Sequence, residues 1–300
     1  MGLTVSRFAA RPRILRWRET PPMTLRPTSA SGRLPVALVL VAALTVPVGA
    51  AAWLSPEAVA GWTSYITATD QRIAREFGSR DRFLAQDFRP DARTNRAAVL
   101  AGRIVIDPMV TMDARGGEME VPYAMVHHWR GAVLIPGVRL DDLLKQLQSG
   151  VLDAKPQEDV LQSRVLERGP DRMRVFLRVQ RTKFVTVVYN TEHLVLFKRQ
   201  GPTRASSAST ATRIAEVESP GTPAERELPV GNDRGFLWRW NAYWRYEQVP
   251  GGVIAECESV SLSRGIPAVV RYLVSSLIAS TAYESMERTL ATLRGRFQQR

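Results

Sequence analysis

The chain has 300 residues, 45% hydrophobic and 23% charged, a composition that excludes a disordered or fibrous protein and leaves room for a sizeable core. Its formal net charge is +12, but residues 1–50 hold seven Arg (Arg7, Arg11, Arg13, Arg16, Arg18, Arg26 and Arg33) against one acid, Glu19, so half of the excess belongs to the N-terminus. The remainder is near balance, and nucleic acid is not expected as a partner.

From Leu34 to Leu54 no residue is charged (LPVALVLVAALTVPVGAAAWL). Positive charge, an apolar run and then small residues form the pattern of an export signal, with cleavage after Ala50 or Ala52. The run also reaches the ~20 residues of a membrane-spanning helix, so an uncleaved anchor with its basic end inside competes with cleavage. Met23 as the start would shorten the signal to a more usual length. Either way residues 1–52 predict an exported domain, periplasmic or anchored and facing outward, with the membrane as a partner if the segment is kept. The single cysteine, Cys257, excludes an internal disulfide.

Ser55-Pro56-Glu57 reads as a helix start, with Ser as cap and Pro in the first turn, running through Trp62, Ile66 and Ile73 to Phe77. Residues 79–120 are Arg-rich and punctuated by Pro90, Pro108 and Gly116-Gly117, so an irregular connection is expected, with a short strand at 103–106. This makes 53–120 an N-terminal helix with an irregular extension. From residue 121 the pattern becomes regular. Strand 123–135 ends at Pro136-Gly137, and Leu140, Leu143, Leu144 and Leu147 mark a short helix. Strands follow at 160–167, at 172–183, where Met173, Val175, Leu177 and Val179 alternate with polar residues, and at 185–198. Residues 205–217 begin ASSASTAT and read as a strand of small residues, which would leave room on the sheet for something bulky. A Pro/Gly-rich loop covers 219–234. Segments 236–249 and 253–263 form a hairpin about Pro250-Gly251. Pro267 opens a long C-terminal helix with Val270, Leu273, Val274, Leu277 and Ile278 on one face, a soft spot at Ser280-Thr281, and Tyr283, Met286, Leu290, Leu293 and Phe297 beyond.

This order, with HHWRGAVLIPGVRLDDLLKQLQ and GFLWRWNAYWRYEQVPGGVIAECESVSLSRGIPAVV, resembles the START-like (SRPBCC, polyketide cyclase/Bet v 1-like) superfamily, and more narrowly its exported bacterial members of unassigned function. The resemblance covers about residues 121–295, giving a START-like domain at 121–297. It implies an α+β helix-grip fold, a curved antiparallel sheet wrapped around the C-terminal helix, with a cavity that holds lipids, sterols, polyketides or other apolar molecules. Family members continue with a longer, more acidic helical region after the leucine-rich helix, where this chain has Gln148-Ser149-Gly150.

A two-residue turn places Arg245 opposite Glu256, Trp244 opposite Cys257 and Tyr243 opposite Glu258. One hairpin face then carries Phe236, Trp238, Trp240, Trp244 and Tyr246 against small residues, suited equally to core packing and to lining a cavity. Trp238, Trp240, Trp244 and Tyr246, with Leu177, Val179 and Tyr189, are the candidate ligand-binding residues. The other face carries Arg239, Arg245, Glu256 and Glu258. A solvated face is the preferred reading, and a buried polar cluster orienting a ligand headgroup the sharper one. His127 and His128 are adjacent on a strand and point to opposite faces, so no metal site is expected. No nucleophile elbow, P-loop or dinucleotide motif occurs, and no catalytic residue or cofactor is assigned. The expected function is binding or carriage of an apolar small molecule or lipid in an internal cavity, more a carrier than an enzyme. The alternatives are a cyclase-, dehydratase- or hydrolase-type enzyme using the same cavity, or an envelope interaction protein with a filled core.

Overall fold

The computed structural model describes residues 52–149, 159–182, 186–266 and 268–298. The apolar run up to Ala51 and Pro267 lie outside them, and so do the side chains of the expected Val270–Ile278 face. Chain order begins with β1 (Ala52–Trp53), α1 (Pro56–Phe77), a 3-10 turn (Ala85–Phe88), α2 (Ala92–Leu100), β2 (Val105–Pro108), β3 (Ala124–Pro136) and α3 (Leu140–Ser149). It continues with β4 (Val160–Arg168), β5 (Arg172–Thr182), β6 (Thr186–Gly201), β7 (Arg204–Glu218), β8 (Arg226–Glu227), β9 (Asn232–Asp233), β10 (Arg239–Val249), β11 (Gly252–Arg264) and α4 (Ala268–Gln298). None of the described helices is long and apolar enough to cross a membrane.

The main sheet has nine strands, paired in the order β2-β3-β11-β10-β7-β6-β5-β4, with β8 added beside β7. Every described pairing is antiparallel. The β10–β11 register is the one the turn predicts: Val249 opposite Gly252, Arg245 opposite Glu256, Trp244 opposite Cys257. Gly251 takes φ +87, which the tight turn requires and other residues resist. The sheet is curved, and α4 lies on one face of it, here the front. This is the helix-grip arrangement. Contact is close at Gly131 of β3, where a Cβ would stand 2.6 Å from Leu290 Cδ1 and 2.8 Å from Met286 Cγ. Only glycine lets the helix settle here. Around it Val133, Ile135, Ala255, Val253 and Tyr246 meet Met286, Leu290, Leu293 and Phe297, with Leu140 and Leu143 of α3 closing the core.

The back face is covered too. Ser55 caps α1, its Oγ accepting from the Ala58 amide at 3.2 Å, with Pro56 in the first turn. The buried stripe of α1 runs Ala58, Trp62, Tyr65, Thr69, Ile73, Glu76, at steps of three and four. It is apolar over Val121, Val260 and Leu262 and becomes polar farther along. Where the sequence predicts an irregular connection with a short strand at 103–106, the structure forms the 3-10 turn and α2 before β2 at Val105–Pro108. Phe83, Leu84 and Val99 there pack on Ala132, Val249 and Ile254 of the back face. The segment is a second layer on the sheet.

Candidate functional site

On the front face β7 is a valley. Its inward residues are Ala205, Ser207 and Ser209, then Ala211 before a bulge that shifts the β6–β7 register. Walls of larger residues rise on both sides. Ser207 lies between Trp244 of β10 and Phe197 of β6, Ala205 is paired with Tyr246, and Ser209 is paired with Val195. The Trp244 and Tyr246 rings stack with centroids 6.1 Å apart and planes within 5°. Tyr246 is buried, whereas Trp240 and Trp244 are only half-buried. A second apolar group, Val179, Val187, Tyr189 and Ile214, continues the face toward β5, with Leu177, Phe236 and Trp240 packed against it.

The polar groups on this face are neutral through its middle. His193 is buried, its Nε2 3.0 Å from Thr191 Oγ1 and its Nδ1 3.3 Å from Ser209 Oγ, and its ring meets Trp240 edge to face at 5.1 Å. Burial pushes it down to about 4, so the imidazole is uncharged at neutral pH. Tyr246 Oη is 3.3 Å from Ser207 Oγ, and the Trp240 indole N–H donates to Ser259 Oγ at 3.1 Å. Burial raises Tyr189 and Tyr246 well above the usual phenol range. The one fully buried carboxylate here, Glu216, is met by the Arg234 side chain and by its backbone N–H at 3.1 Å. An apolar trough with neutral donors and acceptors can hold an apolar molecule and orient a hydroxyl or carbonyl on it.

No family model and no curated protein matches the chain. Among solved structures it is similar to a fragment of the STAR-related lipid transfer protein from Xanthomonas axonopodis, at 17% identity and a TM-score of 0.41, over 64% of this chain and 99% of that one. It is also similar to the Zhui aromatase/cyclase from Streptomyces sp. R1128, at 12% identity and a TM-score of 0.38, over 59% and 96%. The human StarD13 lipid transfer and protein localization domain matches at 10% identity and a TM-score of 0.37, over 71% and 99%. Likeness of this degree carries no inference about activity.

Six of the seven candidate ligand residues, Leu177, Val179, Tyr189, Trp240, Trp244 and Tyr246, share the front face. Trp238 does not. It precedes the first residue of β10, donates its indole N–H to Asp233 Oδ1 at 3.0 Å, and packs with Leu54, Trp62, Tyr65 and Leu262 on the back.

The charged hairpin face, preferred above as solvated, is buried instead. Arg245, Glu256 and Glu258 are at most 2% exposed, because α1 and the 3-10 turn lie over them. Arg245 donates to the Phe83 carbonyl at 2.8 Å and to Glu76 of α1 at 2.5 Å. Glu256 accepts from the Ala85 and Gln86 amides at 2.5 and 3.0 Å and from Arg130 at 3.2 Å. Glu258 is held by Arg72 of α1 and by His128 Nε2 at 2.8 Å, and His128 Nδ1 is 2.8 Å from the Tyr65 hydroxyl. Arg130 also holds Asp107. Burial raises Glu256 despite Arg245 and Arg130. Burial pulls Glu258 up as well, but there the His128 hydrogen bond and Arg72 win and leave it lowered. Arg239 stands apart, half-buried and donating to the Trp238 carbonyl. These charges join the helical layer to the sheet and turn away from the trough. Cys257, between them in sequence, is a buried thiol raised by burial. Among the described residues no three His, Cys, Asp or Glu are grouped as metal ligands would be.

The residues that sequence reading missed are His193 with Thr191 and Ser209, and the α1 pair Arg72 and Glu76. His193 sits on an alternating strand in phase with Tyr189, and that phase would have placed it on the front face.

Proposed function

We propose that this domain binds and carries an apolar small molecule or lipid in the trough between the front face and α4. The carrying observation is the row of Ala205, Ser207 and Ser209 set between Trp244 and Phe197, with half-buried Trp240 and Trp244 beside it. Leu177, Val179, Tyr189, Trp240, Trp244 and Tyr246 line the space in this reading. The run from Leu34 to Leu54 would deliver the domain across a membrane and either leave it free or tether it. Native mass spectrometry of the purified protein, before and after solvent extraction, tests the reading. A copurifying apolar mass is expected, and Ser207→Trp should fill the valley and lower its occupancy while the fold survives. Bare protein that also fails to take up the neutral dye Nile red would refute it. His193 between two hydroxyls favours a second reading, an enzyme acting on the bound molecule. That reading requires turnover of a ligand and its loss in His193→Phe.

A further inference from the structure

The trough is neutral in its middle but cationic at one end. Arg181 is the next front-face residue after Val179 on β5, and it is paired with Val187, so it borders the apolar group of Val179, Val187 and Tyr189. Arg288 projects to the same place from α4. Both guanidinium groups converge as ion pairs on a single carboxylate oxygen, Asp159 Oδ2, at 2.6 and 3.1 Å, and Arg181 donates a hydrogen bond to Ser285 Oγ of α4 at 3.0 Å. Two cations therefore share one anion among the described residues. Burial holds Arg181 below its usual range, and Arg288 adds to this against the pull of Asp159. Among the described residues Arg288 Nε has no hydrogen-bond partner. Yet the side chains are 33% and 40% exposed, so an incoming group can reach them.

We infer that the ligand is amphipathic, with an anionic group, carboxylate or phosphate, seated between Arg181 and Arg288 and an apolar body running along β6 toward His193. This rests on the carrier reading above and names the class of its ligand. Only here does the described front face hold a guanidinium pair with less than one carboxylate each; Arg234, by contrast, is matched by Glu216. Half-buried excess charge is unfavourable until an anion joins it. Arginine supplies the planar, forked donors that carboxylate and phosphate accept. From Val187 to His193 is six residues, about 20 Å at the rise of an antiparallel strand, which gives a long alkyl chain room to lie over Tyr189 and Trp240.

The test displaces Nile red from the delipidated full-length protein with hexadecanoate, hexadecyl phosphate and hexadecan-1-ol. One or both acids should bind about tenfold or more tighter than the alcohol, the weight of a hydrogen bond between charged partners. Whichever acid wins identifies the headgroup. Arg288→Gln, the more exposed position, and Arg181→Gln should each reduce that preference and leave the alcohol unchanged. Asp159→Asn should increase it. Equal binding of acids and alcohol, or a preference that survives the double arginine variant, overturns the anionic group and leaves the carrier reading standing. If none of the three displaces bound dye, the anionic long-chain ligand is overturned while the carrier reading stands; if the dye itself is not taken up, both fall.

Discussion

Glu256→Ala probes the buried charge layer directly. In the folded protein the carboxylate accepts the amide N–H groups of Ala85 and Gln86 and one arm of Arg130. Its removal leaves two backbone donors in a layer where Gln86 and Arg130 are fully buried, and each stranded donor costs about 1–3 kcal/mol. Arg130 keeps Asp107 and Arg245 keeps Glu76, so neither cation is abandoned, and the two stranded donors together should cost about 3–5 kcal/mol. Urea unfolding followed by tryptophan fluorescence reads this as a midpoint lowered by more than about 1 M, given a slope of roughly 3 kcal/mol/M. Glu218→Ala is the control. It removes the same charge from an exposed pair with Arg226 and should cost under about 1 kcal/mol. If Glu256→Ala costs no more than Glu218→Ala, the helical layer is not held by these charges and the account of the back face is wrong.

Gly131→Ala should destabilise by about 1–3 kcal/mol through overpacking, since its Cβ meets Leu290 and Met286 inside 3 Å; a neutral result in thermal unfolding would mean that α4 does not sit so closely on β3. His193 falls to about 4 in the folded protein against an ordinary 6.5, so the unfolded chain takes up a proton through that window that the folded one refuses. Stability from this group is full above about pH 6.5 and is lost as the pH falls to 4, by about 3 kcal/mol. His127 is lowered to about 4 as well, also by burial, and shares the slope. His193→Gln should therefore reduce the fall in stability between pH 6.5 and 4, as followed by urea titrations across that range; an unchanged slope would place His193 in water.

Much of this architecture was legible because it follows short-range rules. Pro250-Gly251 sets the hairpin register, and strict alternation then assigns Trp240, Trp244 and Tyr246 to one face and Arg245, Glu256 and Glu258 to the other. Small residues between two turn signals announced the valley of β7. What alternation cannot give is which face meets water. The cover over Glu256 comes from a segment far away in sequence, and α2 (ARTNRAAVL) is too short and Arg-rich to show an apolar period. Beside the apolar contacts of Phe83, Leu84 and Val99, the segment's grip is polar: Arg96 on Glu247, the Phe83 carbonyl on Arg245. A count of hydrophobic residues passes over such an interface. Trp238 escaped because alternation begins one residue later, at Arg239.

The layer of α1, the 3-10 turn and α2 bonds to strands β3, β10 and β11, while the backs of β4 and β5 present Arg164, Arg174 and Arg178, engaged by Phe176, Glu192 and Glu225. Among the described residues one side of the sheet is thus sandwiched between helices, and the back of the other is met by side chains. Deformation is cheapest where fewest buried contacts must be given up. Amide hydrogen exchange should therefore be faster in the β4–β5 wing than in the β3–β11–β10 plank, with Arg181 tying that wing to α4 through Ser285.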